Sequence, residues 1–186
     1  MKNKKIYILL TDTKTVLGRI IKLYTKKPYS HASIAFDLEL DEVYSFGRKM
    51  PSNPFIGGFV RENITSKLFL NARCAIYSCE VSETELQRMY QFIQKIEREK
   101  HRYRYNFLGL LSFIFDKNVV RENAFFCSQF VATVLTEGGV VTYKKPLDRI
   151  TPDDLLDTEK FELIYEGNLQ HYRNINIEPQ SVLNIV

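Results

Sequence analysis

Between Ser30 and Asp37 the chain alternates residue by residue. Ala32, Ile34 and Phe36 fall on one face, and His31, Ser33 and Ala35 on the other. A period of two marks a strand. One face is built of small residues, so a helix can approach it closely. The turn-like Asp37 to Asp41 leads into Glu42 to Phe46, and this spacing predicts an antiparallel hairpin. His31 stands near the start of its first strand, and Gly47 ends the second.

The remaining elements follow from pattern. Ile6 to Leu10 reads as a buried strand, and Thr13 to Tyr24 as a helix with Val16, Leu17, Ile20, Ile21 and Leu23 at helical spacing, stopped by Lys26, Lys27 and Pro28. Pro51 to Gly58, rich in Pro, Asn and Gly, reads as a loop. Arg73 to Val81 has strand character. Ser82 with Glu85 forms a capping box, in which serine and glutamate satisfy each other's free N–H groups, so a helix begins there. Its apolar stripe is Leu86, Met89, Tyr90, Ile93 and Ile96. Further helices are predicted at Asn106 to Phe115 and at Phe126 to Glu137, the latter closed by Gly138 and Gly139. Thr151 to Asp154 starts a last short helix. No repeat or linker interrupts the pattern, and 186 residues suit one domain spanning 1–186.

Composition excludes several classes. Lys and Arg number 26 against 22 Asp and Glu, a net charge of +4, without the dense basic patch of a nucleic-acid binder. Lys95, Arg98, Lys100, Arg102 and Arg104 are interleaved with Glu97 and Glu99. The three cysteines include no CxxC pair, and Cys74 and Cys79 point to opposite faces of their strand, so no disulfide framework is expected. His31, His101 and His171 show no zinc-ligand spacing; no metal or cofactor is expected. The apolar run after Met1 to Lys5 is too short for a signal core, which reads as a cytoplasmic chain. Phe107 to Phe115 covers less than half of the ~20 residues that cross a bilayer, so no membrane insertion is expected.

Chemistry concentrates at two positions. Cys127 falls in the first turn of a helix whose Cys127, Phe130, Val131, Val134 and Leu135 share an inward face. A helix N-terminus lowers a thiol's pKa and offers N–H groups to an oxyanion. Cysteine is also among the most buried residue types, and this segment alone equally suits an inert core thiol. His31 can supply a base: an imidazole in reach takes the thiol proton and later returns it to a leaving group. Taken singly, it also suits a half-buried sheet histidine.

Tyr29-Ser-His-Ala-Ser-Ile-Ala-Phe36, upstream of Phe125-Phe-Cys-Ser-Gln-Phe-Val131, resembles the permuted members of the NlpC/P60 papain-like superfamily. That branch includes YiiX-like amidases and the lecithin:retinol acyltransferase group, and in it the histidine strand precedes the cysteine helix, as here. The resemblance extends in outline to the N-terminal strand and helix and to Ile150-Thr-Pro-Asp-Asp-Leu155. It implies an α+β fold in which an antiparallel sheet packs against the nucleophile helix. It also implies a Cys–His site acting on amides or esters. Family members carry a polar orienting residue on the strand after the histidine, often His or Glu; the match here falls on Ser45. Serine stabilises an imidazolium less than a carboxylate does. Glu42 is a second candidate if the hairpin register is displaced. Asp37, about 20 Å along the strand from His31, is too far to act. Tyr29 either borders a substrate groove or packs. Ser128 and Gln129 are possible donors but are not counted as catalytic, and His101 and His171 read as surface residues.

These residues point first to a cysteine hydrolase with Cys127 as nucleophile, His31 as general base and acid, and Ser45 as orienter, acting on a small peptide or other amide. A second reading keeps the site but takes an acyl lipid ester at a membrane surface, with Phe107 to Phe115 as an apolar edge beside the basic residues of 95–104. A third is a non-catalytic binding module of the same fold, suggested by serine in the orienting position.

Overall fold

Every residue from Ile6 to Thr11 is buried in the first strand, β1 (Lys4–Asp12), although successive side chains point to opposite faces. A strand reads as a continuous apolar run only where both its faces are covered. Here Ile6, Ile8 and Leu10 enter one core, and Tyr7 and Leu9 another. The structure, a computed structural model, describes residues 4–13, 15–50, 53–69, 71–105 and 124–177.

β1 leads to helix α1 (Val16–Thr25), capped by the Thr15 hydroxyl and ended by Lys26 in the left-handed conformation. Then come β2 (His31–Ala35), β3 (Val43–Met50), β4 (Asn53–Arg61), β5 (Arg73–Val81) and helix α2 (Glu83–Arg98). Two short strands, β6 (Arg104–Tyr105) and β7 (Ala124–Phe125), precede helix α3 (Cys127–Gly138). After 3-10 turns at Leu147–Arg149 and Asp153–Leu156, β8 (Glu162–Asn168) and helix α4 (Leu169–Ile177) complete the described chain. The fold is therefore mixed α+β. Six strands form one antiparallel sheet in the order β4-β3-β2-β1-β5-β8. β6 and β7 pair in parallel apart from it.

Helices α2 and α3 cover one sheet face. Met89, Ile93 and Ile96 of α2 and Phe130, Val131, Val134 and Leu135 of α3 pack there with Ala32, Ile34 and Phe46. Leu40, Ile64, Phe69 and α4's Leu169 and Tyr172 cover the other, against Ala35, Val43 and Ile76. Among the described residues no helix is long and apolar enough to cross a membrane.

The capping box at Ser82 and Glu85 forms as predicted, and so does the left-handed Gly139 that closes α3. Several expectations are corrected. The segment Pro51 to Gly58 is no loop: β4 begins at Asn53 and pairs Gly58 with Gly47 and Gly57 with Arg48. β4 is an edge strand, the place where a sheet tolerates proline, and glycine on each side of the pairing removes side-chain crowding. For the same reason Gly47 lies within β3 rather than ending it. Thr151 to Asp154 starts a 3-10 turn instead of an α-helix, with the Asp154 carboxylate accepting from the Thr151 N–H and hydroxyl. Nor does α3 lie on the small-residue face of β2. It packs on Ala32 and Ile34, and the His31/Ser33 side receives a carboxylate instead. The predicted helix at Asn106 to Phe115 lies outside the described residues.

Candidate active site

β2 and the start of α3 meet at one end of the sheet. Phe126 caps α3 without a side-chain hydrogen bond, and no acidic residue occupies the first turn. Neither an N-cap side chain nor an acidic residue of the first turn therefore competes for the N–H groups there. Cys127, the first helical residue, is buried with 5% of its surface exposed. Its sulfur is hydrogen-bonded to the His31 imidazole, and the backbone N–H groups of Ala32 and Ser128 act on it to favour the thiolate. Ser128 is fixed beside it, its hydroxyl donating to the Ile150 carbonyl at 2.6 Å.

His31 is held from its other side by a residue that the sequence reading did not single out. Glu62 follows directly after β4, where its N–H donates to the Val43 carbonyl and extends the sheet. Its Oε1 lies 2.7 Å from His31 Nε2, and its Oε2 accepts from the Ser33 hydroxyl at 2.6 Å. The Glu62 and His31 side chains are 7% and 15% exposed. A carboxylate only accepts, so His31 Nε2 donates to it, and Nδ1 is the nitrogen left for the thiol.

Ser45 is placed close by but with another partner. Its hydroxyl donates to the Ala32 carbonyl at 3.1 Å, and its oxygen stands 3.4 Å from His31 Nε2, a longer contact than that of Glu62. Glu42 is not at the site. Its carboxylate accepts from the hydroxyls of Tyr44 at 2.8 Å and Tyr90 at 2.9 Å, tying β3 to α2. Asp37 accepts from the N–H groups of Asp41 and Glu42 and shapes the hairpin turn. Tyr29 packs: it is buried, with its hydroxyl donating to Glu166 at 2.7 Å. His101 and His171 are exposed.

The electrostatics favour an ion pair. Burial works against charge on His31, but the Glu62 carboxylate and the Cys127 sulfur outweigh it and raise the imidazole well above its ordinary range. Burial likewise pushes the Cys127 thiol up. The charge and hydrogen bond of His31, with the N–H groups of Ala32 and Ser128, more than offset that and hold it below the ordinary range. The other two cysteines go the opposite way: burial pushes Cys74 up to about 12 and raises Cys79 as well. All three are unpaired. Among the described residues no group of three His, Cys, Asp or Glu side chains is arranged to hold a metal.

Glu62 left little signal in the sequence. It lies 31 residues from His31 and follows a segment whose composition reads as loop. Extending β4 through Gly57 and Gly58 would have placed it one residue past Arg61, at the end of the strand beside β3. Comparison of the chain with protein-family models yields no match, and comparison with curated proteins yields none.

Proposed function

We propose that this chain is a cysteine-dependent hydrolase of amide or peptide bonds, with the circularly permuted papain-like architecture of the NlpC/P60 superfamily in one domain. The observation that carries the reading is the line Cys127, His31, Glu62: a thiol at a helix N-terminus, hydrogen-bonded to an imidazole whose Nε2 is held by a carboxylate. The chain order, histidine strand before cysteine helix, agrees with the permuted branch.

In this reading the Cys127 thiolate attacks a carbonyl carbon, and the displaced π electrons move to the carbonyl oxygen. N–H groups of the first turn of α3 are the donors suited to that oxyanion. As the tetrahedral species collapses, the carbon–nitrogen bond breaks. The departing nitrogen takes the proton from His31, leaving a thioester on Cys127. His31, now neutral, takes a proton from water; the resulting hydroxide equivalent attacks the thioester, and the acid product leaves. The sulfur departs as thiolate, and the imidazolium beside it restores the resting pair. Glu62 stabilises that imidazolium and fixes the ring orientation throughout, the role a carboxylate performs better than Ser45.

Serine as orienter was the reason to consider a non-catalytic module, and the Glu62 carboxylate supports the enzyme over it. The apolar edge invoked for a lipid ester lies outside the described residues, so no observation favours that substrate. Three unpaired cysteines suit a reducing compartment such as the cytoplasm. The test is a panel of amide and ester substrates with wild type and Cys127→Ala. Turnover together with an acyl mass on the Cys127 peptide supports the reading. Full turnover by Cys127→Ala overturns it.

A further inference from the structure

Residues i and i+2 of a strand share a face about 6.5 Å apart, and the two oxygens of one carboxylate can serve both. Glu62 spans such a pair on β2: Oε1 takes His31 and Oε2 takes Ser33. The Ser33 hydroxyl is wholly buried, and its bond to Glu62 is 2.6 Å long. It sits opposite Leu9 of β1. Without that hydroxyl, Oε2 would be an acceptor in a nearly closed site with no partner, and the carboxylate would be free to rotate about its last torsion.

We propose that Ser33 is a positioning residue of the hydrolase: by donating to Glu62 Oε2 it locks the carboxylate so that Oε1 meets His31 Nε2, and through them it sets the charge state of the Cys127–His31 pair. The inference rests on the reading of Cys127 and His31 as a catalytic pair. It adds a fourth member, running Ser33 to Glu62 to His31 to Cys127, in which only the first two members, Ser33 and Glu62, leave the reacting atoms untouched. Glu62 and Cys127 are the ionisable groups that face His31. A change at Ser33 therefore has one electrostatic route to the thiol, through Glu62. Ser45 does not duplicate the role, because its hydroxyl proton is committed to the Ala32 carbonyl.

The experiment is the pH dependence of iodoacetamide alkylation at Cys127, read by peptide mass spectrometry. It is run on wild type, Ser33→Ala, Ser33→Thr, Glu62→Gln and the double variant Ser33→Ala/Glu62→Gln, with circular dichroism and thermal melting to confirm folding. Ser33→Ala is expected to raise the midpoint by about one pH unit, a tenfold loss of thiolate on the acid side. Ser33→Thr, which keeps the hydroxyl, restores it, and in the Glu62→Gln background Ser33→Ala has little further effect. A wild-type midpoint already depressed, with folded Ser33→Ala unchanged from it, overturns the role of Ser33 and leaves the hydrolase standing. So does a full Ser33→Ala shift that persists without the Glu62 carboxylate. An ordinary wild-type midpoint instead overturns the catalytic pair itself, and the Ser33 role falls with it.

Discussion

Glu62 Oε1 stands 2.7 Å from His31 Nε2, although 31 residues separate the two along the chain. One residue comes from the first position of a central strand and the other from the exit of an edge strand. Only the antiparallel sheet brings them together, so the pair ties the site's charge state to the sheet's register. Glu62→Gln keeps the shape of the side chain and removes its charge. The expected result is a His31 imidazole that titrates lower and a rise in the Cys127 alkylation midpoint. Turnover falls by about 100-fold, the low end of the usual range for losing one element of acid–base catalysis. NMR titration of the His31 ring protons checks the first part directly.

The directions of the two shifts give a pH window. Cys127 is depressed, so its thiolate persists below the ordinary thiol value of ~8.5 and is lost only as pH falls through the lowered value. His31 is raised, so its proton persists above ~6.5 and is lost as pH rises through the raised value. Activity should therefore be bounded by an acid limb from the thiol, displaced below ~8.5, and an alkaline limb from the imidazole, displaced above ~6.5. A rate profile that climbs steadily to pH 9 would contradict the ion pair.

Cys74 and Cys79 provide the internal contrast. Both are buried in the sheet, and burial pushes their thiols up, Cys74 to about 12. In native protein at pH 7, Cys127 should be alkylated while both of these stay unlabelled. Peptide mapping after a brief pulse of reagent measures all three at once.

Glu42 separates structure from chemistry. Its carboxylate bridges the Tyr44 and Tyr90 hydroxyls between β3 and α2 and makes no contact with His31. Glu42→Ala should lower stability by about 1–3 kcal/mol, since two buried-side hydroxyls lose a charged acceptor. The alkylation midpoint of Cys127 should not move. Chemical denaturation and the pH profile read the two effects independently.

The helix that carries the thiol is anchored by aromatic packing. Phe130, fully buried one turn after Cys127, lies 5.1 Å from the ring centre of Phe46 and 5.8 Å from that of Phe59. Phe130→Ala should destabilise the protein by about 3–5 kcal/mol. Phe130→Leu should cost less and keep a depressed Cys127 midpoint at temperatures where it remains folded.

The local signals in this sequence read well. The alternation from Ser30 placed His31 at the head of a strand, and the 82–85 capping box and the 138–139 glycines bounded two helices to within a residue or so. Long-range information was missing where composition and pairing disagree. Pro54, Gly57 and Gly58 favour a loop in isolation, yet pairing with β3 along an edge makes them a strand, and the carboxylate beside His31 follows directly after it. β8 escaped notice for a related reason. Its ladder with β5 shifts register between Ile76 and Tyr77, and Leu163 and Ile164 are both exposed, so no clean alternation survives in the residue order. α4, with Asn174 and Asn176 among its residues, has weak intrinsic helix propensity and is held by Leu169 and Tyr172 against the second core.

For most buried cysteines, loss of structure speeds chemical attack, because access is all that changes. Cys127 gains access on unfolding but gives up the imidazolium and the two backbone donors that keep it ionised. Below the ordinary thiol range, damage to the fold should thus lower the thiolate fraction of Cys127 while it uncovers Cys74 and Cys79. Loss of the preference for position 127 over positions 74 and 79 would serve as a built-in gauge of native protein in any preparation.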